Sequence, residues 1–252
     1  MVQKTRFSRN GKRNVSRKMG KDPEHLVKGR ILLSARNEIL ERLKAAPKKE
    51  IPVRPFMPPL KEVALGRDEL ADRFAEMFTA ETGIVYRAKN NDHALETLTG
   101  IVKREGLKSV MVSTDEVLAP LNLPAWGIKI DVKVMSPGDF KGRDDFKDAV
   151  FDGVGAGITG VDFAVAESGT LGLIHDRDQA RLISLAPILH IAIVPVERIV
   201  PVYESVVASV FEKEPFPSQF VFITGPSMTG DIRGHLFKGM HGPRRVIVIL
   251  VG

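Results

Sequence analysis

Residues 84–113 read IVYRAKNNDHALETLTGIVKREGLKSVMVS, and this stretch decides the fold. Ile84–Arg87 is a short run of β-branched and aromatic residues, the composition of a strand. Asp92 is read as the cap of a helix running through Arg104, with Gly106 as its stop. Val110–Ser113 is a second apolar run of strand length. Strand, helix and strand in immediate succession make a βαβ unit, in which the helix carries the chain back so that the two strands run parallel.

The same alternation continues on both sides. A helix is expected over Asp68–Thr82. Short strands are expected near Lys129–Val134 and a helix over Asp144–Phe151, leading into a glycine-dense passage, Gly153–Gly160. Val161–Ala166 and Thr170–Ile174 read as two strands around the turn Glu167-Ser-Gly169. Next come a helix over Asp178–Ala186, a buried strand His190–Pro195, a helix Val202–Phe211 and a strand Phe220–Thr224. A short helix near Ile232–Lys238 and a final strand Arg245–Val251 complete the series. The order predicts an α/β protein with a mostly parallel sheet flanked by helices.

Upstream, Asp22-Pro23-Glu24 reads as a helix start, and an apolar stripe including Leu33, Ile39, Leu40 and Leu43 predicts an N-terminal helical arm to about residue 46. Pro47 ends it, and the proline-rich stretch 51–59 reads as an extended linker. Residues 1–50 carry fifteen Lys/Arg against five Asp/Glu, so the net charge of +6 is a property of the beginning of the chain. Residues 1–21 hold basic residues and no acid, which predicts a disordered basic arm. The expected organisation is therefore an arm over 1–21, a helix and linker over 22–59, and an α/β domain over 60–252.

The chain has no cysteine. Disulfides, thiol nucleophiles, zinc–thiolate sites and protein-ligated iron–sulfur clusters all need that sulfur, so any cluster must sit on a partner. No cofactor is expected and, with no His-x-x-x-His pair, no metal. The absence of a long apolar run or an apolar leader predicts a cytoplasmic chain without a membrane span. The acidic balance of the remaining 202 residues argues against nucleic acid as partner.

Three segments could carry chemistry. In Phe220-Val-Phe-Ile-Thr-Gly-Pro-Ser-Met-Thr-Gly-Asp-Ile232 an apolar strand enters a loop holding Thr224, Gly225, Ser227, Thr229, Gly230 and Asp231. Glycines admit a ligand to the backbone, and hydroxyls and backbone N–H groups can donate to a small carboxylate or phosphate. The strand-end rule for open α/β sheets favours this loop as a binding end. The competing reading makes Thr229 or Asp231 a plain helix cap. In Ala166-Glu-Ser-Gly-Thr-Leu-Gly-Leu173, Glu167 is placed at a turn where a carboxylate could act as a nucleophile, or where the turn is only a polar hairpin. Lys238-Gly-Met-His-Gly-Pro243 presents His241 and Gly242 on a loop, with His241 a candidate anion donor or base and equally a solvated loop residue.

Taken together, these segments resemble a known family. Gly157-Ile-Thr-Gly-Val-Asp-Phe-Ala-Val-Ala-Glu-Ser-Gly-Thr-Leu171, Leu189-His-Ile-Ala-Ile-Val-Pro195, Ile223-Thr-Gly-Pro-Ser-Met-Thr-Gly-Asp-Ile232 and Gly239-Met-His-Gly-Pro243 match, in order and spacing, the lactate-utilisation protein C family of the LUD-domain group. Ser168 stands where the family pattern has threonine, and the basic arm before Asp22 is not a family feature. The resemblance implies a fold similar to the NagB/RpiA/CoA-transferase-like superfamily. It also implies an accessory role beside iron–sulfur partner proteins that oxidise L-lactate to pyruvate. It carries no catalytic residue across. The alternative function is an acyl-CoA transferase-like enzyme with Glu167 as nucleophile, since Glu167-Ser-Gly-Thr-Leu-Gly is similar to the Glu-Asn-Gly-x-x-Gly turn of those enzymes, with the asparagine missing.

Overall fold

The computed structural model describes residues 35–46, 65–176, 178–211, 217, 219–230 and 236–252. The chain divides into two compact units, Met1–Pro59 and Leu60–Gly252. In the first, residues 35–45 form a helix, α1, with Ile39, Leu40 and Leu43 exposed and an Arg42–Glu38 ion pair of 2.6 Å one turn apart. The expected arm over 1–21, the start of the helix and the proline linker lie outside the described residues.

The second unit is built on a six-stranded sheet in which every pairing is parallel. Its strands are β1 (Ile84–Ala88), β2 (Ser109–Val112), β3 (Lys133–Met135), β4 (Ala156–Gly160), β7 (Leu189–Pro195) and β12 (Arg245–Val251), in the spatial order β1-β12-β7-β4-β2-β3. A second sheet joins β5 (Phe163–Val165), β6 (Thr170–His175), β8 (Ile199–Val200) and β9 (Gln219–Ile223) in the order β8-β5-β6-β9. The strands β10 (Met228–Gly230) and β11 (Leu236–Lys238) form a small antiparallel pair.

Alternation along the strands explains the layers. In β12, Ile247 and Ile249 face one cluster with the buried side of α3 (Asn91–Arg104), including Leu98 and Ile101. Val246, Val248 and Leu250 face the opposite cluster, with Phe74 and Phe78 of α2 (Arg67–Ala80) and with β5 and β6. A strand buried on both faces reads as an unbroken apolar run. β12 does so from Val246 to Val251 and β7 from Ile191 to Val194, with His190 the polar exception near its start. Phe74 and Phe78 are fully buried and stack at 5.6 Å, each contributing roughly 1.5–3 kcal/mol of transfer free energy. On its other face the four-stranded sheet is closed by α7 (Tyr203–Phe211), through Val206 and Val210 against Val165 and Ile174.

Several expectations need correction. The glycine-dense passage contains β4, a fully buried central strand. A Cβ on Gly157 would stand 1.8 Å from the carbonyl oxygen of Ile183, so glycine is what lets α6 (Leu182–Leu185) lie directly on the sheet. Of the strands expected near Lys129–Val134, residues 129 and 130 belong instead to a helix, α4 (Leu123–Ile130), started by Pro124 and a left-handed Asn122, while 133 and 134 fall in β3, which α5 (Arg143–Asp148) follows. Asn90, not Asp92, caps α3, its Oδ1 accepting the His93 N–H at 2.9 Å. Residues 236–238 are strand and not helix, because they pair with 228–230. Finally, β9 belongs to the second sheet, antiparallel to β6.

Candidate functional site

The loop after β9 and the loop before β12 are stapled by two backbone hydrogen bonds. Ser227 N–H donates to the Pro243 carbonyl and Gly239 N–H to the Ser227 carbonyl, each at 2.8 Å. Between them lies a cavity of about 200 Å³ lined by Thr224, Gly225, Ser227, His241 and Gly242, with Ser184 and Leu185 at the end of α6 on one side. Thr229 and Gly230 lie on β10, opposite Phe237 and Leu236. Asp231 lies outside the described residues. Near these loops Lys238 donates to the Thr82 hydroxyl at 3.0 Å, the Arg244 side chain lies against Gly239, and Glu81 packs on Gly225.

Glu167 is exposed and caps α7, its Oε1 accepting the Tyr203 N–H at 2.8 Å. It does not line the cavity, but its turn is connected to it. The Ser168, Thr170 and Thr224 hydroxyls form a chain with separations of 2.8 and 3.0 Å. Gly169, at φ +61°, holds the turn against α2, where a Cβ would meet the Phe78 nitrogen at 2.3 Å.

The cavity sits at the amino ends of β7 and β12, where Arg244 N–H donates to the Ile188 carbonyl at 2.9 Å. The strand-end rule therefore does not locate it, because β9 is not part of the parallel sheet. That rule points to a different place, between β2 and β4, where the chain changes direction along the sheet. There Asp115 joins two strand ends: it accepts the Ser113 hydroxyl and the Val117, Leu118 and Gly160 N–H groups, the last three at 3.0–3.1 Å. A second cavity, about 260 Å³, opens beside it, lined by Ser113, Thr114, Asn122 and Ser136. Sequence reasoning did not nominate these residues. The available signal was the polar run Ser113-Thr-Asp115 directly after an apolar strand.

The family model for the LUD domain matches residues 71–251. The chain belongs to the LUD-domain family. This LUD chain is 33% identical over 162 residues to lactate utilization protein C of Anoxybacillus flavithermus, covering 64% of the chain and 71% of that relative. It is 32% identical over 206 residues to lactate utilization protein C 1 of Bacillus mycoides, covering 74% and 81%. A crystal structure of a DUF162 family protein from Deinococcus radiodurans superposes with a TM-score of 0.51 at 26% identity, covering 75% of this chain and 99% of that one. Within the LUD match lie both stapled loops and the Glu167 turn. Among the described residues, no helix is long and apolar enough to cross a membrane.

Proposed function

We propose that this LUD protein is an accessory component of a system that oxidises L-lactate to pyruvate, acting beside iron–sulfur cluster-bearing partner proteins. Its own task in this reading is to hold a small carboxylate or phosphate in the cavity between the two stapled loops. The family, and relatives named for lactate utilization, supply the process. The observation that carries the ligand is the meeting of residues 224–227 and 241–243 on one cavity, whose lining includes Thr224, Ser227 and His241. Donors of that kind suit an oxyanion. The clusters fall to partners because the chain has no cysteine. Acyl transfer through Glu167 gains no support, since one carboxylate oxygen is engaged in capping α7.

Two measurements test the reading. Calorimetric titration of lactate, pyruvate, phosphate and CoA against the wild type and a Ser227→Ala/His241→Ala variant is expected to give binding of a small anion that the variant weakens tenfold or more. Equal affinity in the variant refutes the site. Lactate-dependent dye reduction is expected only when cluster-bearing partners are added, and turnover by this chain alone refutes the accessory role.

A further inference from the structure

Away from that cavity, three buried polar side chains gather over β4 and β7, between Thr159 near the end of β4 and His190 near the start of β7. His190 on β7 is fully buried, with its Nε2 2.8 Å from the hydroxyl of Thr159 on β4. His175, at the end of β6, is 6% exposed, and its Nδ1 lies 3.2 Å from the Gln179 carbonyl. Gln179, 4% exposed, donates its side-chain Nε2 to the Gly160 carbonyl at 3.0 Å. Close by, Thr114 N–H donates to the Asp178 carbonyl at 2.8 Å.

Each of the three keeps one buried atom with no partner among the described residues: His175 Nε2, Gln179 Oε1 and His190 Nδ1. For His175 and Gln179 the remaining hydrogen-bonding capacity is fixed by the bonds already made. A carbonyl only accepts, so His175 Nδ1 carries the proton and its Nε2 presents a lone pair. Gln179 must keep Nε2 toward Gly160, which leaves Oε1 as an acceptor. The contact between the Thr159 hydroxyl and His190 Nε2 allows either direction; when Thr159 donates, the imidazole proton lies on Nδ1, and it is this tautomer that the proposal below takes. What remains is two acceptors and one donor.

We propose that a single internal water molecule is bound here, donating to His175 Nε2 and Gln179 Oε1 and accepting from His190 Nδ1–H. Water matches this set, with two donors and a free lone pair, and three hydrogen bonds is the usual complement of a buried water. An ammonium ion has no acceptor for the His190 proton. The water joins His175 and Gln179 to His190 of the central strand β7, close to Gly160, whose N–H is held by Asp115 beside the second cavity.

The test uses the full wild-type chain. Two-bond nitrogen–proton correlations of the imidazoles are expected to show the proton on Nδ1 in both His175 and His190, and a cross-peak from His190 Nδ1–H to a long-lived water. A proton on His190 Nε2, or an Nδ1–H without that cross-peak, overturns the proposal. A crystal structure is expected to show one isolated oxygen at hydrogen-bonding distance, about 2.7–3.2 Å, from all three atoms. Empty density, or direct contact between the three side chains, overturns it equally.

Discussion

Lowering the pH from 7.5 to 4.5 should weaken the fold through His190 by an amount that can be worked out. Burial, reinforced by the nearby His175, pushes the His190 imidazole down to about 3. In the unfolded chain it titrates near 6.5. An imidazole is charged when protonated, so the unfolded state takes up the proton first. The contribution to stability is complete above about pH 6.5 and is lost as pH falls from there toward about 3. At pH 4.5 the unfolded histidine lies two pH units below its midpoint while the folded one is still neutral. At 1.36 kcal/mol per unit the loss is about 3 kcal/mol, a large share of a typical 5–15 kcal/mol. His175, whose pKa is also lowered chiefly by burial, adds in the same direction, with Arg181 opposing its protonation and Asp176 favouring it. Urea unfolding of the wild type and of His190→Gln between pH 7.5 and 4.5 isolates the residue, because other titrations largely cancel in the difference. The stability advantage of the wild type should shrink by roughly 1.4 kcal/mol per pH unit below 6.5. A difference that stays flat across that range refutes the reasoning.

Gly157→Ala should destabilise by about 1–3 kcal/mol or more, since the methyl would have to displace α6 from the sheet; thermal melting should fall by several degrees or soluble protein should be lost. Glu167→Ala should remove about 0.5–2 kcal/mol by uncapping α7, with faster hydrogen exchange at the Tyr203 amide and no comparable change in β12. Gly169→Ala combines a left-handed backbone with a blocked approach to α2, and should cost more than Glu167→Ala in the same melting assay.

The parallel sheet was legible because its evidence is local: the βαβ unit of β1, α3 and β2, and the unbroken apolar run of β12, whose observed bounds match the expected ones. β4 was hidden because its glycines read as breakers, when their role is to accept a helix and a loop at close range. The sheet to which β9 belongs could not be read, since its pairing with β6 joins residues 171–175 to 219–223. The strand-end rule has no hold on β9, which lies outside the parallel sheet. The residues of the stapled loops were nominated from composition, whereas the staple is a backbone contact with no side-chain signature. The His175, Gln179 and His190 cluster left no trace in the sequence, because its members are brought together by three separate elements.

β1 comes first among the strands of the parallel sheet, and its partner in that sheet, β12, comes last. As the chain leaves the ribosome, residues 84–88 have no parallel neighbour until residues 245–251 follow, and the gap between β1 and β7 stays open through all the intervening synthesis. Pairings of this sequence separation form slowly. The last seven-residue strand therefore acts as a keystone, and a nascent chain interrupted before it exposes two unpaired strand edges, the form most prone to aggregate.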